Sequence, residues 1–262
     1  GDETILRSLA ASQLKRLRRI VDAATQLAEK GGFDRWQFRY DNALDNGSMT
    51  STGQIIESGA GLRATLLAVK DEFYKAKYAG IATGIKNTGI GNGMPDDARV
   101  RISVVAPDKV QLDHGWTEMG QGVNTMALMT LVTETGIPAE CIDVQVDTSS
   151  EQKTGMTTAS RATSLVGNAI INAAKQLKED LKTQSLADLV GKVYEGEWVV
   201  DWTTKPGKEV DTVHTHYSYS YATQLVTRDE DGHIEKIIAA HDAGKPARDR
   251  QAKACAAKLS CG

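Results

Sequence analysis

Cysteine is scarce in this chain. Three thiols, Cys141, Cys255 and Cys261, stand among 262 residues, too few and too dispersed for a disulfide framework or a zinc site. A reducing, cytoplasmic setting is the simpler expectation. No apolar run approaches the roughly 18 residues of a membrane span, and no signal-peptide pattern opens the chain. There is no basic excess either: the formal net charge is −3, so neither nucleic acid nor a membrane is an expected partner. Internal repeats and low-complexity tracts are absent. No Ser/His/Asp ordering or supported Cys/His pairing stands out, so the pattern assigns no catalytic residue. His214 and His216 lie two apart on an expected strand and share one face. Two histidines without a third ligand describe a half-exposed strand rather than a metal site.

What is present suits a packed protein. Hydrophobic residues make up 40% and charged residues 25%, which favours a folded core over disorder. Ile5, Leu6, Leu9, Leu14, Leu17, Val21, Ala24, Leu27 and Ala28 recur at helical spacing, and Gly31-Gly32 ends that helix. Lys15, Arg16, Arg18 and Arg19 read as its solvated face. Asp34 is placed to cap a short helix, and Leu62, Leu66, Leu67, Val69 and Phe73 predict another from about 59 to 76. Residues 99–104 and 110–114 alternate with period two around Pro107-Asp108, which predicts a hairpin. Helices are expected over 123–135 and 161–182, with a strand over 141–146. A second hairpin is expected from His214–Tyr221, an Asp231-Gly232 turn and a return through Ile234, Ile237 and Ile238. The fold class is α+β, mixed helices and antiparallel hairpins rather than a run of βαβ units. Three segments are expected: a helical part over 1–76, an α/β core over 77–190, and a linker with hairpin and divergent tail over 191–262.

Two loops draw the eye for chemistry. Gly120, Gln121 and Gly122 stand in the string GWTEMGQGVNT between a strand-like and a helix-like run. Glycines let a backbone approach a ligand closely, a helix start favours anions, and Gln121 carries both a donor and an acceptor. The plainer reading is a strand-to-helix turn in which Gln121 bonds its own loop. The second loop, TGMTTASRATSLVG over 154–167, brings Thr157, Thr158 and Ser160 to the start of a long helix. Any one of these hydroxyls is also a candidate helix cap. Together the loops suggest a two-sided phosphate or pterin cradle. Gly89-Ile90-Gly91-Asn92-Gly93 has only the surface look of a dinucleotide loop, because no helix is expected after it and Pro95 intervenes.

In order along the chain, EMGQGVNT, Gly136-Ile137-Pro138, Val144-Gln145-Val146-Asp147-Thr148, Thr157-Thr158-Ala159-Ser160-Arg161 and Gly167-Asn168-Ala169 resemble the molybdenum-cofactor-binding region of the xanthine dehydrogenase/aldehyde oxidase family. The flanks agree. Phe38-Arg39-Tyr40-Asp41-Asn42, Lys77-Tyr78-Ala79-Gly80 and His241-Asp242-Ala243-Gly244-Lys245 extend the resemblance over about residues 22–245.

The resemblance implies a molybdopterin-binding portion of a molybdenum hydroxylase, which inserts water-derived oxygen at a carbon of a purine or aldehyde. The pterin would be in mono- or dinucleotide form. The protein orients such a cofactor while the cofactor carries the redox step. Carried over, Gln121 would bond the pterin or its phosphate, with Gly120, Gly122 and Thr125 shaping the loop. Thr157, Thr158, Ala159 and Ser160 would form the second wall, the Ala159 backbone close to the metal. The family's general-base glutamate and its Arg-Gly-Phe-Gly loop have no counterpart here, and Pro246-Ala247 replaces its Asn-Pro pair. The implied partners are therefore the remainder of the molybdenum subunit, together with iron–sulfur and flavin domains or subunits. The alternative expectation is a truncated, non-catalytic relative that keeps the fold without cofactor.

Overall fold

The computed structural model describes residues 23–146 and 157–244. Helix α1 is seen from 23 to 30. The basic stretch from Lys15 to Arg19, the Asp147-Thr148 pair and the tail from Lys245 lie outside the described residues. Helix α2 (Arg35–Asp41) starts where expected. Asp34 is extended and its carboxylate accepts the Gln37 N–H at 2.8 Å, which satisfies one of the helix's unpaired donors.

The helix expected from 59 to 76 is two, α3 (Leu62–Leu67) and α4 (Lys70–Lys75). The break falls at Ala68-Val69, where Val69 (φ −109°, ψ 0°) is the N-cap of α4 and is wholly buried. The apolar spacing survives the kink, since Leu62, Leu66, Val69 and Phe73 all face one core.

Then come β1 (Tyr78–Thr88), β2 (Asp96–Ala106), β3 (Lys109–His114), α5 (Val123–Thr135), β4 (Ile142–Gln145), α6 (Ala162–Asp180), β5 (Val193–Val200), β6 (Ser218–Arg228) and β7 (Ile234–Asp242). Two sheets result, ordered β1-β6-β7 and β4-β3-β2-β5. The expected β2–β3 and β6–β7 hairpins are both antiparallel. One pair departs from antiparallel pairing: β3 and β4 run parallel, because α5 lies between them as a crossover.

Strand pairing cuts across the three segments drawn from the sequence. β1 pairs along its full length with β6, so the middle segment's first strand belongs with the last hairpin. The stretch read as a linker holds β5, the edge strand beside β2. Within that strand Gly196 has a steric purpose. A Cβ there would lie 2.1 Å from the Ala169 carbonyl oxygen of α6, so only glycine lets helix and strand approach this closely.

Each sheet has its own core. α2, α3 and α4 cover β1-β6-β7 around Trp36, Leu66, Phe73, Tyr221 and Leu225. α5 and α6 cover the other sheet. On α6 the buried set Leu165, Val166, Ala169, Ile170, Ala173, Ala174 and Leu177 recurs at helical three-four spacing. Gly136 ends α5 at φ +74°, its N–H returning to the Val132 carbonyl, a left-handed cap that suits glycine.

Overpacking of a tight helix–strand contact is destabilising by roughly 1–3 kcal/mol. Gly196→Ala is therefore expected to lower the urea midpoint of unfolding without changing its slope; an unchanged midpoint would show that α6 has room to retreat.

Candidate functional site

β3 carries its chain to His114 and then, through buried Gly115 and Trp116, into the loop before α5. His114 is fully buried, and its Nδ1 accepts the Trp116 N–H at 3.2 Å, which leaves the ring proton on Nε2. Burial pushes the His114 pKa below the ordinary histidine value, against a smaller opposing pull from the Asn124 side chain. The ring is thus a neutral post that fixes where the loop begins.

The loop closes on itself. Gln121 Oε1 accepts the Met119 N–H at 2.6 Å, and Gln121 Nε2 donates to the Thr117 carbonyl at 2.9 Å. This is the plainer of the two roles weighed for Gln121, and it leaves one N–H and one lone pair of the amide uncommitted.

The helix start expected to meet an anion meets one from its own chain. Glu118 Oε1 accepts the Gly120 and Gly122 N–H groups at 2.8 and 2.9 Å, and Oε2 accepts that of Asn124 at 3.1 Å. These backbone donors, Gly122 and Asn124 foremost, hold the Glu118 carboxyl below the usual range. The expectation that the N-terminal pole of α5 holds a cofactor anion is corrected to that extent, because Glu118 fills it. A carboxylate just ahead of a helix start is the sequence signal that would have found it.

Gly120 (φ +96°) and Gly122 (φ +85°) stand in the left-handed region, and a Cβ added to either would meet nothing within 4 Å. The open side of the loop is backbone, free to take a ligand at close range.

The second loop reaches the first. Thr157 Oγ1 donates to the Thr117 carbonyl at 3.2 Å, the same oxygen that receives Gln121 Nε2. Among the described residues, no hydroxyl of the second loop caps α6, whose N-cap position is Arg161 and carries no side-chain capping bond. Thr125, Thr158 and Ser160 are exposed, and no side-chain hydrogen bond is seen for them among the described residues. Ala159 (φ +57°) and Ser160 (φ +52°) are both left-handed without being glycine. Such residues cost on the order of 1–3 kcal/mol each and persist only where their surroundings hold them.

A third loop completes the arrangement. Gly89 N–H donates to the Ala159 carbonyl at 3.0 Å, which brings residues 89–93 against the second loop. As expected, a strand and not a helix follows this glycine run. Sequence reading missed three residues here. Asp96 is buried at the start of β2; its carboxylate pairs with Arg161 and also accepts the Ile90 N–H at 3.1 Å. Arg161 lies 4.6 Å over the Trp116 ring, a favourable cation–aromatic position. Tyr217 packs beside them, its phenol pushed up by burial and by the negative Asp96.

His214 and His216 are not on a strand. β6 begins at Ser218, because Gln54 takes the preceding backbone: its Oε1 accepts the His216 N–H and its Nε2 donates to the His216 carbonyl, both at 3.0 Å. The two rings therefore serve separate neighbours. His216 faces Asn87, and His214 meets Trp202 edge-on at 5.9 Å.

A family model described as molybdopterin cofactor-binding domain matches residues 59–197, which include all three loops. A probable xanthine dehydrogenase component from Bacillus subtilis is 33% identical over 113 residues, covering 43% of this chain and 15% of that protein. A nicotinate hydroxylase of Emericella nidulans is 28% identical over 199 residues, 68% of this chain and 14% of that protein. The chain thus spans about a seventh of these curated relatives. The fold is that of the aldehyde oxidoreductase from Desulfovibrio desulfuricans, with a TM-score of 0.71 at 22% identity over 86% of this chain and 28% of that one.

Buried His114 and half-buried His216 set a pH response. Burial lowers both His114 and His216, so below the unfolded value of about 6.5 unfolding takes up protons and stability falls with pH. The melting temperature is expected to drop between about pH 7.5 and about pH 5.5, and less steeply in His114→Gln. A flat parent profile would mean that these rings are solvated.

Proposed function

Because the chain belongs to the molybdopterin cofactor-binding domain family, we propose that its three converging loops form one side of the pterin cradle of a molybdenum hydroxylase. The observation that carries this reading is the shared Thr117 carbonyl, which ties the Gln121 loop to the Thr157 loop. Two segments that the resemblance assigns to one cofactor are adjacent, each with its open donors outward. The groups fit the ligand: glycine backbone open to close approach, one spare amide N–H on Gln121, and uncommitted hydroxyls on Thr125, Thr158 and Ser160.

When bound, the molybdenum cofactor supplies the redox chemistry that places a water-derived oxygen on an electron-poor carbon of a purine or aldehyde. This chain's residues do the holding. Gln121 offers its second N–H to a pterin oxygen or phosphate. Gly120 and Gly122 keep the first wall clear of side chains, and Thr157 ties it to the second. The left-handed turn at Ala159-Ser160 would hold the cofactor through its backbone, as the family resemblance implies. Glu118 sets a limit, since its carboxylate already satisfies the start of α5; a cofactor phosphate is held by side-chain donors and not by that helix pole. The remainder of the molybdenum subunit supplies the other walls and the general base, with iron–sulfur and flavin partners taking the electrons.

One observation favours a second reading, a fragment that keeps the fold without cofactor. Both polar ends of Gln121 and the α5 pole are satisfied internally, so the loop needs no ligand to hold its shape.

Molybdenum and oxidised-pterin analysis of the chain, purified with the rest of its subunit from a host that makes molybdopterin, separates the two. Stoichiometric pterin is expected. Gln121→Ala is expected to lower retention about tenfold, the scale of one hydrogen bond to a charged group. Absence of pterin in every preparation would support the second reading, and full retention by Gln121→Ala would remove that residue from the cradle.

A further inference from the structure

We propose that the Arg161–Asp96 ion pair is a positioning device that sets the three loops of the cradle in one arrangement before any cofactor arrives. The proposal rests on the cradle reading above and assigns it a control element.

Each half of the pair governs a different wall. Asp96 uses one carboxylate oxygen for Arg161 and the other for the Ile90 N–H at 3.1 Å, so the 89–93 loop hangs from it. Arg161 is the residue that follows the left-handed Ala159 and Ser160 and opens α6, so its side chain anchors the second wall. The same guanidinium lies over Trp116, which is one residue ahead of Thr117, the carbonyl shared by the first and second walls. Tyr217 closes the remaining side: a Cβ on Gly89 would lie 2.1 Å from its ring. One buried charge pair is therefore in touch with every wall.

Energetics argue that the pair is there for direction and not for stability. Two buried charges lose their water, and a well-packed apolar pair of the same volume commonly stabilises a fold as well or better. The pair's side chains are only 6% and 0% exposed, so that desolvation is close to complete. What an apolar pair lacks is orientation. A planar guanidinium stacked on an indole and hydrogen-bonded to a carboxylate has one geometry, and it holds the Ala159-Ser160 turn in a conformation such residues otherwise avoid.

The test uses the chain in its subunit, from the molybdopterin-producing host. Asp96→Asn alone removes one charge of a buried pair and serves only as a reference for instability. The informative variant is the double Asp96→Leu/Arg161→Met. A melting temperature within a few degrees of the parent is expected, with pterin retention lowered about tenfold or more and faster amide exchange at Gly89 and Ile90. Arg161→Lys, which keeps the charge and loses the planar fork, is expected to show the same losses in smaller measure. A double variant that retains pterin like the parent and protects the same amides would overturn the proposal, as would parental retention in Arg161→Lys. If the parent itself carries no pterin, the cradle reading fails, while amide exchange in the cofactor-free chain still decides whether the pair fixes the loops.

Discussion

The buried meeting of Asp96 with Arg161 is the constraint around which this fold's business end is arranged. Its two partners come from the start of a strand and the start of a helix, 65 residues apart. Their burial forces everything near them to be specific: a glycine where Tyr217 must pack, an aromatic under the guanidinium, a backbone N–H for the spare carboxylate oxygen. A buried carboxylate that accepts from both a guanidinium and a main-chain N–H is well satisfied. The loops around it are tied to it by the Ile90 N–H, the Trp116 ring and the Ala159 carbonyl, although they lie on the surface where loops ordinarily vary.

Around this point the two sheets divide the labour. The β4-β3-β2-β5 sheet with α5 and α6 presents the loops, and its core is built of regular three-four spacing on α6 and strict alternation on β2. The β1-β6-β7 sheet delivers two further pieces, the Gly89 turn at the end of β1 and Tyr217 just ahead of β6. These meet because β1 and β6 pair from Tyr78–Arg228 to Thr88–Ser218. The site therefore sits where the two layers' strand ends come together, a placement that leaves backbone groups available for a ligand.

Much of the fold was legible because it is local. Asp34 as a cap, the alternation of β2 and β3 and the helices over 123–135 and 161–182 each declare themselves within a short stretch of chain. What was not legible depends on distant contacts. The stretch holding β5 reads as a linker, because the contact of Gly196 with α6 is a distant one, and Val69 reads as mid-helix although a break falls beside it. The His214–Tyr217 stretch alternates like a strand, yet Gln54, 162 residues away from His216, takes its backbone. At the site, closure of the first loop by Gln121 was the plainer of its two readings in the sequence, but the part of Glu118, which takes the Gly120, Gly122 and Asn124 N–H groups, was not read there. A glutamine between glycines says that a polar group is held there and leaves open by whom.

The central claim is that residues 89–93, 117–122 and 157–161 together face one bound cofactor. Amide hydrogen exchange mapped along the chain in its subunit, cofactor-loaded against cofactor-free, tests this most directly. The account predicts added protection concentrated in those three loops and little change along β7 or α2–α4. Protection elsewhere, or none in the Gln121 and Thr157 loops, would contradict it.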